Sequence, residues 1–126
     1  RNLSAAGREQ SRAIGEAIRA ARLPVGEVVA SPYCRTLDTA LLIFGKAERS
    51  TAVLPHSGAD GKPDYAPLFK LVSTPPAPGT LRVIVAHNVP EIARLEEGEA
   101  VVVRPVGESF EVLAVVGAKR WRAFAR

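Results

Sequence analysis

Apolar and polar positions follow two different periods along this chain, and the switches between them mark out its elements. Ile14, Ala17, Ile18 and Ala21 recur at helical spacing with arginines on the other face, which predicts a helix over Ala5 to Ala21, capped by Ser4 and packed on a sheet. Leu23-Pro24 ends it. The run Val28-Val29-Ala30 closes a short buried strand over 27–30. Ser31 then offers a cap, and Pro32 a first residue, for a second helix that runs to Phe44 and stops at Gly45. Pro55, Gly58, Gly61 and Pro63 give residues 55–64 a loop signature, and a short helix is predicted from Tyr65 to Val72. A proline-rich connector from Ser73 to Gly79 leads into Leu81 to Ala86, a second buried strand that delivers His87 at its end. Further on, Glu91 to Leu95 reads as a helical turn. Glu99 to Arg104 and Phe110 to Val115 read as a hairpin around Val106-Gly107-Glu108, and Ala118 to Phe124 as a closing helix.

Strands alternating with helices predict an α/β fold with a mainly parallel sheet. In open sheets of this kind ligands collect at the carboxyl ends of the strands, which is where Ser31 and His87 fall. Arg35 follows Ser31-Pro32-Tyr33-Cys34 at the start of the second helix. Free amides, the positive end of the helix dipole and a guanidinium would then converge on one spot, a physical recipe for holding a phosphate. Ser31, Arg35 and His87 are therefore the candidate phosphate-binding residues.

Composition adds limits. At 126 residues and 47% hydrophobic the chain can bury one core, and neither an internal repeat nor an interdomain linker divides it. No apolar run approaches the roughly 20 residues of a membrane span. The single cysteine, Cys34, excludes an internal disulfide and a cysteine-based zinc cluster, so no metal and no other cofactor is expected. A net charge of +4 suits an anionic substrate. Arginines on the first helix (Arg8, Arg12, Arg19, Arg22) and at the C-terminus (Arg120, Arg122, Arg126) lack interleaved aromatics, so nucleic acid is not an expected partner.

Three motifs taken in order resemble those of the histidine phosphatase superfamily, with its phosphoglycerate-mutase-like fold. They are Leu3-Ser4-Ala5-Ala6-Gly7, Ser31-Pro32-Tyr33-Cys34-Arg35 with Thr39-Ala40, and Val85-Ala86-His87, and the resemblance spans about residues 1–95. It implies a three-layer sandwich of helices about the sheet, in a small bacterial-type member. It also implies an Arg-His-Gly or Arg-His-Ala triplet on the first strand, whose histidine is phosphorylated in turnover. This chain has no such triplet and no methionine, so residues 1–126 are expected to be one domain lacking its first, central strand, placed between the strands ending at Ser31 and His87.

The resemblance implies phosphomonoester hydrolysis through a phosphohistidine, in an acid-type phosphatase when full length, with this chain inactive alone. Arg35 would hold two phosphoryl oxygens in a fork, and His87 would donate to them without attacking. An anionic ligand would favour the charged imidazole. Asn88 stands where many relatives have glycine. A proton donor is expected between the two strands, where Asp60 and Asp64 are the choices, each balanced by a reading as a plain loop carboxylate. His56 reads as a solvated loop residue. Cys34 directly precedes Arg35, whereas cysteine-dependent phosphatases place the thiolate five residues earlier, so Cys34 is expected to be a small buried residue behind the site. Ser31 lacks a Gly-x-Ser-x-Gly elbow, and capping accounts for it. The expected partner is a phosphorylated small molecule or phosphoprotein. Oligomeric state stays open, a dimer included, as does location in the cytoplasm, periplasm or outside the cell. The alternative is a non-catalytic phosphate-binding or scaffold relative.

Overall fold

The computed structural model describes residues 3–57, 60–87, 92, 95, 98–117 and 119–121. Helix α1 spans Ala5–Ala20, and Ser4 caps it by accepting from the amide of Gly7 at 3.0 Å. Strand β1 (Val25–Ala30) leads to helix α2 (Cys34–Phe44), which ends as predicted at Gly45, in the left-handed region at φ 76°. Two short strands and a 3-10 turn follow: β2 (Glu48–Arg49), the turn Thr51–Val53, and β3 (His56–Ser57). Then come β4 (Pro63–Asp64), helix α3 (Ala66–Ser73), β5 (Leu81–Val85), and the hairpin β6 (Ala100–Val106) and β7 (Ser109–Val116).

The fold is α/β. Its central sheet is parallel, ordered β2-β1-β5, with Val28 opposite Val83 and Ala30 opposite Val85. Side chains alternate across a strand, and the helices use this. Val28 and Ala30 pack with Ala40, Leu37 and Phe44 of α2, together with Val83 and Val85. Ile84, between those two valines, joins Leu68 and Val72 of α3. Arg82 ties the same elements at their edge: Nε donates to Glu27 Oε1 at 2.5 Å, and Nη1 donates to the carbonyl of Thr74 at 2.5 Å.

Four expectations need correcting. β1 and β5 are hydrogen-bonded neighbours, so no strand lies between them: two apolar runs of matched length pair directly and fill that space. β5 is half-buried where a buried strand was expected, because among the described residues it pairs on one side only. Helix α1 packs chiefly on α2: Ile14 and Ile18 meet Ile43, and Val25 is the sheet residue that joins them. Gly15 makes this possible, since a Cβ there would lie 2.7 Å from the carbonyl oxygen of Ile43. Lastly, α2 starts at Cys34 rather than Pro32, and Tyr33 is its cap, with no side-chain capping bond. The amide of Ser31 still belongs to the sheet, donating to Val85 at 3.2 Å, so the chain needs two more residues to turn.

The hairpin forms much as its alternation predicts, with a register shift between Val102 and Val103. Val103 and Phe110 lie on Leu68 and Val72 of α3, the helix against which Ile84 of β5 also packs. Val102, Val106 and Leu113 are exposed. The short strands β3 and β4 pair within the stretch expected to be all loop. Most of the turn expected at 91–95 and of the helix expected at 118–124 lies outside the described residues, as does Asn88.

Candidate functional site

The carboxyl ends of β1 and β5 bring Ser31 and His87 together. Ser31 is wholly buried, with Oγ 2.5 Å from Thr36 Oγ1 and 3.2 Å from Nε2 of His87. Thr36, also buried, donates its one hydroxyl proton among the carbonyls of Tyr33 at 2.9 Å and Ser31 at 3.0 Å. The hydroxyl of Ser31 is thus engaged inside the protein and caps nothing. This corrects its role as helix cap.

Arg35 is exposed on the first turn of α2, where backbone amides lack helical acceptors. Among the described residues it makes no side-chain hydrogen bond or ion pair. The other arginines around α2 are engaged. Arg8 bonds Asp38 at 3.2 Å, and Arg19 donates to the carbonyl of Ile43 at 3.3 Å. Arg35 is therefore an available cation beside a helix N-terminus.

His87 is half-buried, and its ring lies against Tyr33 with centroids 5.1 Å apart at 60°. Desolvation lowers its pKa below the ordinary 6.5, and the nearby positive charge of Arg35 lowers it further. Both causes favour the neutral ring while the site holds no anion. An anion between Arg35 and His87 would screen the guanidinium and reward protonation, so binding and proton uptake are coupled.

Tyr33 and Thr36 went unnoticed in sequence. Thr36 could have been found, since a polar residue five positions after Ser31 falls on the buried stripe with Ala40 and Ile43. Cys34 is exposed, contrary to expectation, because it sits off that stripe.

Asp60 and Asp64 are exposed and serve local turns. Asp60 Oδ1 accepts from the amide of Lys62 at 3.0 Å, and Asp64 Oδ1 accepts from the amide of Ala66 at 2.9 Å, just at the start of α3. Among the described residues neither forms a hydrogen bond or ion pair with Arg35 or His87. His56 is exposed, and its Nε2 lies 3.3 Å from the carbonyl of Thr51. Among the described residues no three His, Cys, Asp or Glu side chains are grouped to hold a metal ion. No helix there is long and apolar enough to cross a membrane.

The geometry defines a class: an α/β protein with an exposed arginine on the helix that follows one parallel strand and a histidine at the carboxyl end of its neighbour. Among known families, residues 1–56 match the family model of the histidine phosphatase superfamily, branch 1. That stretch contains Leu3, Ser31 and Arg35, so the resemblance read from those motifs holds there; His87 lies beyond it. No curated protein and no solved structure matches the chain.

Proposed function

We propose that this chain belongs to a histidine phosphatase of the phosphoglycerate-mutase-like, three-layer type, which hydrolyses phosphomonoesters through a phosphohistidine. The observation that carries the proposal is the guanidinium of Arg35, unpaired among the described residues and close enough to His87 to lower its pKa. Arg35 binds the equatorial oxygens of the phosphoryl group, and His87 donates to one of them as it becomes charged. A histidine nitrogen on a preceding segment attacks phosphorus in line as the ester P–O bond breaks. The leaving alkoxide takes a proton, with Asp60 or Asp64 as donor once substrate is bound. Water then cleaves the P–N bond and releases phosphate.

Two features support this reading. Among the described residues β5 pairs on one side only, and its other side offers a strand-pairing edge, next to His87, to the segment that carries the nucleophile. The exposure of Arg35 suits a phosphorylated small molecule or a phosphoprotein.

The test is turnover of p-nitrophenyl phosphate by the expressed protein, its intact mass established first, with Arg35→Ala and His87→Ala beside it. Loss of roughly 10²-fold or more in each variant is expected, as for removal of a transition-state donor. Turnover unchanged in both would place the chemistry elsewhere. Phosphate binding without turnover would favour a non-catalytic relative.

A further inference from the structure

The buried hydroxyls beneath His87 have a directional order. Thr36 Oγ1 has three oxygen neighbours and one proton: the carbonyls of Tyr33 and Ser31, and Ser31 Oγ. The carbonyl of Tyr33 already accepts the amide of Leu37 at 3.0 Å. The carbonyl of Ser31 belongs to a residue with no exposure, and among the described residues Thr36 is its only recorded donor. A buried acceptor left without a donor is costly, so the Thr36 proton goes to a carbonyl. The proton of Ser31 must then go to Thr36 Oγ1. Ser31 Oγ is left with lone pairs only, and its remaining neighbour, Nε2 of His87, must supply the proton across the 3.2 Å contact.

We infer that Ser31 and Thr36 are positioning residues, whose hydroxyl relay holds the Nε2 proton of His87 and leaves Nδ1 as the atom that gains a proton and donates to a bound phosphoryl oxygen. This rests on His87 serving the anion site, and it replaces direct phosphate binding by Ser31 with an indirect role. The relay runs carbonyl, Thr36, Ser31, Nε2, each group donating to the one before it. Nδ1 has no partner among the described residues. Tyr33 adds the other constraint, closing on the ring and restricting its rotation. With Nε2 committed, the ring does not exchange its two nitrogens, so a phosphoryl group always meets the same one.

The experiment is two-bond ¹H–¹⁵N correlation NMR on the labelled full chain at a pH where His87 is neutral. The chain has two histidines, and His56→Gln assigns the other. Wild-type His87 is expected in the Nε2–H form. Thr36→Val removes the acceptor of the Ser31 proton, which then turns to Nε2, and the tautomer ratio should move toward Nδ1–H by about fivefold or more. Thr36→Ser should restore it, which a purely structural role for the threonine methyl would not do. An Nδ1–H ring in the wild type overturns the inference without any variant. So does an unchanged ratio in a folded Thr36→Val protein. The readout needs no ligand, so failure of the phosphate site is separately visible: inorganic phosphate would leave the His87 signals unmoved while the relay stood.

Discussion

Replacing Gly15 with alanine sets two effects of opposite sign against each other. Within a helix, alanine is favoured over glycine by about 0.5–1 kcal/mol, so secondary-structure propensity alone predicts a more stable protein. Packing predicts the reverse. A Cβ at Gly15 would lie 2.7 Å from the carbonyl oxygen of Ile43, 3.1 Å from its Cα and 3.1 Å from the carbonyl oxygen of Leu42. All three are backbone atoms of α2 and cannot rotate away, so the helices must part by about half an ångström to restore ordinary contact. A gap of that size forfeits roughly a quarter of the dispersion attraction across the contact, which here includes Ile14 and Ile18 against Ile43. Overpacking of this kind costs about 1–3 kcal/mol, more than the propensity gain. The expected net loss is about 1–2 kcal/mol, or roughly 3–10 °C in Tm for a domain of this size. Urea unfolding followed by circular dichroism should show a lower midpoint at unchanged slope. Glu16→Ala, one residue on and exposed, should stay within about 0.5 kcal/mol of wild type. A Gly15→Ala midpoint equal to or above wild type would refute the close-contact argument.

Four further outcomes are expected. Arg35→Ala should raise the pKa of His87 without restoring 6.5, since desolvation, the larger cause, remains; a histidine NMR titration that moved downward would contradict this. Because the folded-state pKa lies below the unfolded value, His87 costs no stability above pH 6.5 and destabilises the fold as pH falls from there through the folded pKa. A series of chemical denaturation midpoints in wild type and His87→Gln, converging at neutral pH and separating on acidification, checks that sign. Leu68→Ala should cost about 2–5 kcal/mol, since Leu68 is 2% exposed and joins α3 to both β5 and the hairpin, whereas exposed Leu113→Ala should cost far less. Asp64→Ala should lose about 1 kcal/mol with the acceptor for the Ala66 amide. Turnover in that variant decides whether the carboxylate does more: a large loss supports a proton donor, and an unchanged rate assigns it to the turn alone.

Helical periodicity, the Ser4 cap and the Gly45 stop were readable because each is set by a few adjacent residues, and α1 and α2 closed where those signals put them. The strand ends were readable for the same reason, which is why Ser31 and His87 could be proposed as neighbours. Pairing was not. Which strands lie side by side depends on backbone hydrogen bonds between segments some fifty residues apart, and apolar runs such as Val28-Val29-Ala30 and Val83-Ile84-Val85 carry no label for their partner. The role of Ser31 was misread for a related reason. A serine before a proline is a common cap, and only the tertiary approach of His87 and the return of Thr36 from the first turn of α2 show its hydroxyl to be occupied. Arg35 was the most legible candidate, since its place at a helix start is local, and among the described residues it has no competing partner.

The position of Trp121 has a consequence for how the molecule comes apart. Its indole packs on Ile14, Ile18 and Ile43, and its Nε1–H donates to the carbonyl of Gly98 at 3.1 Å, two residues ahead of β6. The hairpin is thereby clasped twice, by α3 beneath Val103 and Phe110 and by this indole at its entry. Trp121 is the chain's one tryptophan, so its fluorescence, excited selectively over that of the two tyrosines, reports on that clasp. A fluorescence transition coinciding with the loss of helix would mean that hairpin and helices unfold as one cooperative unit. An earlier one would mark the hairpin as a separate foldon, opening while α1 and α2 still hold the turn that carries Arg35 in place.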